Sequence, residues 1–264
     1  MKWAGGKRQL LPELSKRVPR RINRYFEPMI GGGAFFFSLS PRNAYIADIN
    51  SELINTYEVI RDRLPELLRA LKKHHHNEEY YYTLRNIDRS GNFKQWGPVK
   101  RASRLLYLNR TCFNGLYRVN SRGEFNVPFG RYKNPRIIDE GNLRACSLLL
   151  QHAEIQTASF ESVLDKARTG DFVYFDPPYV PLNSTSNFTS YIEGGFDENM
   201  QRALLGVCMR LDKNGVKFML SNSSAPLVLE LYNNFKIESV EASRTINSKA
   251  NGRGKVKEVI VTNY

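Results

Sequence analysis

Residues 172–179 read FVYFDPPY. Four apolar residues in succession, with no polar alternation, suit a buried strand. The run then breaks off at Asp176, Pro177 and Pro178. Neither proline can donate a backbone hydrogen bond, and each forces the residue before it out of the helical region. The carboxyl end of the strand therefore holds an acid, two carbonyls and the ring of Tyr179 on a stiff, extended corner. A plain Asp-Pro turn is the alternative reading of DPP alone.

Working outward, six more short apolar runs share the strand signature: RYFEPMI (24–30), NAYIAD (43–48), AEIQTA (153–158), VKFMLS (216–221), KIESVEA (236–242) and VKEVIVTNY (256–264). Amphipathic patterns such as ENMQRALLGVCMRL (198–211) and APLVLELYNNF (225–235) lie between them. Strands alternating with helices predict an open, largely parallel α/β sheet. The last two strands are joined by the basic loop SRTINSKANGRGK, which predicts a hairpin and one antiparallel strand. The rhythm is lost between about Glu58 and Arg136. Helical stretches there (LPELLRALKK, PVKRASRLLYLNR) lead into the Gly/Asn-rich NGLYRVNSRGEFNVPFGRYKNP, which predicts an inserted second domain.

The chain has 264 residues, 41% of them hydrophobic, enough for one large domain or a core with a substantial insertion. No apolar run approaches the roughly 18 residues of a membrane span. The charged start MKWAGGKRQ lacks the apolar region of a signal peptide. Three cysteines without CxxC spacing point to reduced structural thiols and a cytoplasmic setting. Charge says more. Residues 61–140 carry 17 Lys/Arg against 8 Asp/Glu, an excess of 9 within a total of +13. With its Tyr, Phe, Asn and Gly content, this segment suits a polyanion-binding module better than a merely solvated surface.

Three further clusters can carry chemistry. FEPMIGGGAFF (26–36) is a strand, three glycines and a helical start, in which Gly31, Gly32 and Gly33 let the backbone approach a ligand closely. It matches neither GxGxxG nor a phosphate loop. YIADIN places Asp48 at the next strand end, where an acid accepts bonds from ribose hydroxyls or caps the following helix. WAGGK (3–7) sets an aromatic, a glycine pair and a cation before the LLPELSKRV helix.

In this order, WAGGK, FEPMIGGG, ADIN and DPPY resemble the Dam-type DNA adenine-N6 methyltransferases. The resemblance extends over LNRTCFNGLYRVNSRGEFNVPFGRYKNP and PPYVPLNSTSNFTSY, and so over most of the chain. Members of that family usually carry several residues ahead of WAGGK, where two stand here. The resemblance implies an α/β fold: a Rossmann-like, mixed seven-stranded class I methyltransferase sheet with an inserted, mainly helical target-recognition domain containing a β-hairpin loop. The expected division is 1–57 for the first catalytic part, 58–138 for target recognition and 139–264 for the second catalytic part.

The resemblance also implies the chemistry. The N6 lone pair of adenine is delocalised into the ring. The Asp176 carboxylate and the Pro177 carbonyl would each accept an N6 hydrogen and aim the lone pair at the methyl group of S-adenosylmethionine. Tyr179 would stack on an adenine flipped out of double-stranded DNA. Trp3, Ala4, Gly5 and Lys7 are expected near the amino-acid end of the cofactor, Glu27 and Gly31–Gly33 beneath it, Asp48 on the ribose and Phe160 against its adenine. Core packing is the alternative for Phe160. For DNA, the expected set is Phe113 as a wedge into the duplex, Arg118, Asn114, Leu116 and Pro128 at base edges, and Lys2 on an outer guanine. Arg110, Arg131, Tyr132, Lys133 and the loop 249–257 complete the DNA-facing surface, the cations positioning phosphates. The expected target is GATC, and the expected state is a monomer that needs no metal. The HHH at 74–76 reads as a solvated helix end rather than a ligand set.

Other classes fit less well. Glutamine or cytosine-N4 methylases share an xPPY corner but typically begin it with Asn or Ser. A nicotinamide oxidoreductase would explain the glycine turn but neither DPPY nor the basic insert. An inactive DNA-binding protein would not need an intact DPPY.

Overall fold

The computed structural model describes residues 1–3, 5–182, 196–243 and 255–264. Among the expected site residues, Ala4 and loop positions 249–254 lie outside these. Seven strands form one sheet: β1 (Tyr25–Glu27), β2 (Ala44–Asp48), β3 (Ala153–Thr157), β4 (Phe172–Phe175), β5 (Lys217–Ser223), β6 (Lys236–Ser243) and β7 (Lys255–Thr262). Their order is β3-β2-β1-β4-β5-β7-β6. The first five are parallel, and β7 runs antiparallel to both β5 and β6. This is the expected mixed sheet with its terminal hairpin. The strands differ from the sequence reading by up to three residues at an end, and two of these shifts have a clear local cause. β1 stops at Glu27 because Pro28 has no donor for the ladder. β5 runs on to Ser223, because Asn222 and Ser223 pair with Val259 and Glu258 of β7.

Successive side chains of a strand point to opposite faces, and the buried aromatic residues divide accordingly. Tyr25, Ile46, Phe172 and Tyr174 join one core with helices α3 (Ser51–Asp62) and α4 (Leu64–Leu71). Phe26, Tyr45, Val173 and Phe175 join the other with α9 (Glu198–Lys213) and α10 (Pro226–Leu231). Strands buried on both faces explain the unbroken apolar runs. The helices begin where the local chemistry favours it. Asn50 and Asp197 accept the Leu53 and Met200 amides as N-caps of α3 and α9, and a proline opens α4, α6 (Pro98–Thr111) and α10. From β1 the chain winds outward through β2 to β3, and from β4 outward through β5. The crevice at the carboxyl ends of β1 and β4 is therefore the point where strand order reverses, the usual ligand position in open α/β sheets.

Residue 57 lies inside α3. Leu64, Leu67, Leu68 and Leu71 of α4, with Ala102 and Leu106 of α6, belong to the same core as α3. A separate small core holds Tyr81 and Leu84 of α5 (Glu78–Asn86), Tyr107, Leu108, Cys112, Phe125 and Val127. On it rests an irregular hairpin with antiparallel bridges Cys112 to Phe129 and Val119 to Phe125. Of the triple histidine, His75 is exposed as expected, while His74 and His76 are half-buried and bonded. His74 bonds the Tyr80 hydroxyl at 2.6 Å and Ser103 Oγ at 2.8 Å and stacks on Tyr107, while His76 bonds the Tyr132 carbonyl at 2.6 Å. Burial lowers the His74 pKa to about 4, so the ring is a neutral brace at pH 7. It cannot serve as a cation for phosphate.

Candidate active site

Strand β4 delivers Asp176 to the crevice, and its carboxylate meets two partners there. Lys7 Nζ lies 2.6 Å from Oδ1, and Ser221 Oγ on neighbouring β5 donates at 3.1 Å. Burial pushes the Asp176 pKa up, while the Lys7 ammonium and the Ser221 hydroxyl pull it back. Lys7 is itself buried, donates to the Gly5 carbonyl at 2.7 Å and sits 4.2 Å from the centroid of the Tyr179 ring. Acid, cation and phenol ring thus form one cluster from two distant stretches of sequence, WAGGK and DPPY. The Tyr179 hydroxyl donates to Glu258 on β7 at 2.9 Å. Beyond it, buried polar side chains fix the corner: Gln201 Nε2 donates to the Pro178 carbonyl at 3.1 Å, Asn222 Oδ1 accepts from the Val180 amide at 3.2 Å, and Ser223 Oγ donates to the Val180 carbonyl at 2.6 Å.

Strand β1 ends in Glu27, which is fully buried and accepts from the Tyr25 hydroxyl at 2.5 Å. Its pKa is raised to about 8, chiefly by burial and further by the charge of Asp176. The glycine turn follows. Gly31 and Gly33 have φ of +46° and +67°, which favours glycine. A Cβ on Gly31 would stand 2.9 Å from Trp3 Cδ1. Asp48 closes the turn, with Oδ2 accepting the Gly31 amide and Oδ1 the Asn50 amide, both at 3.0 Å. Burial raises its pKa against those bonds. Tyr57 Oη donates to the Gly31 carbonyl at 2.8 Å from below. Phe160 is buried, its ring edge-on to Phe196 at 5.9 Å within the core beneath α9.

The expected DNA residues gather along the hairpin and α6. Phe113 is 52% exposed, so core packing does not account for it. Asn114 has φ of +56° at the sharp turn after it. Arg118 Nε donates to Asn126 Oδ1 at 2.7 Å, which holds the guanidinium across the hairpin. Pro128, Arg131 and Lys133 are exposed, and Leu116, Arg110 and Tyr132 half-buried. Lys2 joins them from the far end of the chain, its ammonium 5.5 Å from the Tyr132 ring centroid.

Sequence reading missed Tyr25, Tyr57, Ser221, Gln201, Asn222 and Glu258. The one legible signal was SNS at 221–223, three polar residues closing an apolar strand. A cavity of about 590 Å³ lies among Arg69, His74, Trp96 and Lys100, and none of the expected site residues lines it. Among the described residues no group of His, Cys, Asp and Glu could hold a metal, and no helix is long and apolar enough to cross a membrane.

Comparison with known proteins shows the family. Residues 3–246 match the family described as D12 class N6 adenine-specific DNA methyltransferase. The chain is 50% identical to a type II methyltransferase, M1.LlaDCHI, of Lactococcus lactis subsp. cremoris, covering 100% of this chain and 94% of that one. It is 42% identical to the type II methyltransferase M.MjaIII of Methanocaldococcus jannaschii, covering 100% and 98%. It is 36% identical to the DNA adenine methylase of Escherichia coli K12, covering 98% and 93%. Similarity of this extent spans sheet, glycine turn, hairpin and DPPY corner together, and the chain belongs to the D12 class of N6 adenine-specific DNA methyltransferases.

Proposed function

We propose that the protein transfers the methyl group of S-adenosylmethionine to N6 of adenine in GATC, on double-stranded DNA, after flipping the target base out of the helix. The observation that carries the reading is the cluster at the end of β4. An acid and a carbonyl there suit an amino group with two hydrogens, beside a ring suited to stacking. Asp176 and the Pro177 carbonyl accept one N6 hydrogen each and place negative charge where positive charge develops. Asp176 need not be a strong base, because the N6 proton becomes acidic only after the methyl arrives. The bound cofactor supplies an electrophilic methyl on a sulfonium. The acids around the glycine turn fit it: Glu27 suits its ammonium, and Asp48 accepts two amides yet keeps lone pairs for ribose hydroxyls.

Glu27 gives this assignment a signature of its own. A carboxyl with a pKa near 8 is mostly protonated at pH 7, and an incoming ammonium favours its ionised form. Cofactor binding at pH 7 is therefore expected to release close to one proton. Titration calorimetry in buffers of different ionisation enthalpy measures it, and Glu27→Gln should abolish the release. Binding with no proton release in the unmodified protein would remove Glu27 from the site.

For the target, Arg118 suits a guanine, whose O6 and N7 a guanidinium bonds together, and Pro128 suits a thymine methyl. Arg118→Ala is expected to cost about 1–3 kcal/mol and to relax selectivity at one base pair. Lys133→Ala should weaken all sequences alike and shallow the salt dependence. Methyl transfer to a random-sequence duplex library, with mapping of N6-methyladenine, tests the whole. Modification confined to a different motif would overturn the GATC assignment, and modification of a different base would overturn the chemistry.

A further inference from the structure

Residues 1–3 and 5–7 lie between the two parts of the molecule that the reaction must coordinate. At one end Lys2 is locked to α6 and the hairpin by a single buried side chain. Asn109 Oδ1 accepts the Lys2 amide at 2.9 Å, while its Nδ2 donates to the Lys2 carbonyl at 2.8 Å and to the Gly115 carbonyl at 3.0 Å. The fit is close: a Cβ on Gly115 would fall 2.3 Å from Lys2 Cδ. At the other end Lys7 is paired with Asp176. Between them the Trp3 side chain touches both parts. In one it meets the glycine turn, where added Cβ atoms on Gly31 and Gly32 would lie 2.9 and 3.1 Å from Trp3. In the other it meets Tyr117 of the hairpin, whose ring is stacked on the indole with centroids 4.8 Å apart and planes 16° apart. Tyr117 is held in turn edge-on against Phe125 of the insert's own core.

We infer that Tyr117 is a positioning residue that joins DNA recognition to the cofactor site through Trp3. The inference rests on the assignment of the hairpin to DNA and of the glycine turn to the cofactor. Glycine turns are compliant, and Trp3 is the large side chain that fills the space over Gly31 and Gly32. A hairpin seated on its correct sequence fixes Tyr117, Tyr117 fixes the indole, and the indole limits the shapes open to the turn. Coupling of this kind is reciprocal: cognate DNA tightens cofactor binding by the same factor as the cofactor tightens cognate DNA. Tyr117 needs no contact with either ligand to act in this way.

The test measures cofactor affinity three times, with S-adenosylhomocysteine as probe: alone, with a GATC duplex and with a scrambled duplex. In the unmodified protein the cognate duplex is expected to tighten binding by about 5-fold to 150-fold over the scrambled one. Tyr117→Leu should reduce that ratio to below about 2-fold, Tyr117→Phe should retain it, and Trp3→Leu with Tyr117→Leu should lose no more of it than either change alone. If Tyr117→Leu does not fold, Trp3→Leu alone carries the test, with the same loss expected. Full cooperativity in both leucine variants, or none in the unmodified protein, overturns the inference. Neither result touches methyl transfer itself, which is judged separately by mapping N6-methyladenine on the random-sequence library.

Discussion

Asp176→Ala is expected to lower kcat on a GATC duplex by about 10²–10³-fold or more, the usual effect of removing a preorganised group that faces developing charge. The variant should still fold and bind DNA. Asp176 is at the strand end rather than in the core, and its removal also relieves a carboxylate held against the cost of burial. Asp176→Asn is the stricter comparison, since its amide keeps the volume and one acceptor oxygen but not the charge. Single-turnover assays separate the methyl-transfer step from binding and product release. Near-normal turnover in the alanine variant would sink the mechanism, whereas equal loss of DNA binding would make Asp176 a structural residue.

Lys7→Met is expected to have the second-largest effect, visible in the pH profile. The carboxylate must be ionised to accept the N6 hydrogen, so activity falls as pH drops through its pKa. Burial already raises that pKa, and the Lys7 ammonium at 2.6 Å opposes the rise. Removing the ammonium raises the pKa further, so the acid limb of kcat/KM should move to higher pH, with a loss at pH 7 that is partly recovered in more alkaline buffer. Lys7→Arg keeps the charge and should keep the limb near its original position. An unchanged limb in Lys7→Met would show that the ion pair does not govern the acid.

The sequence carried the sheet well, for a physical reason. Strands such as FVYF and AYIA are buried on both faces, so their composition alone betrays them. The proline after Asp176 and the cap at Asn50 likewise act within a few residues of themselves. The site was legible only in part. Asp176, Tyr179, Gly31 and Asp48 announce themselves by unusual local chemistry, and Lys7 by its place in WAGGK. Ser221, Gln201, Asn222, Glu258 and Tyr117 do not, because each acquires its role from a neighbour 20 to more than 100 positions away in the chain. A serine in a strand or a tyrosine in a hairpin is ordinary until its partner is known. His74 and His76 show the same effect in reverse: in a run that reads as solvent-facing, these two are captured by Tyr80, Ser103 and the Tyr132 carbonyl, all remote in sequence or set by tertiary packing.

The gathering of Glu27, Asp48 and Asp176 at one crevice has a consequence for turnover. A cofactor that arrives as a sulfonium departs as a neutral thioether, having lost one positive charge while barely changing shape. A pocket relying on shape alone would hold both about equally and stall on its own product. Burial raises all three acids in pKa, and the charge of Asp176 raises Glu27 further. Under the proposed assignment such a pocket is expected to rank the two by charge, because a cation favours the ionised carboxylates and a neutral thioether does not. Under that assignment the acids that make the crevice costly to build are also expected to favour release of the product.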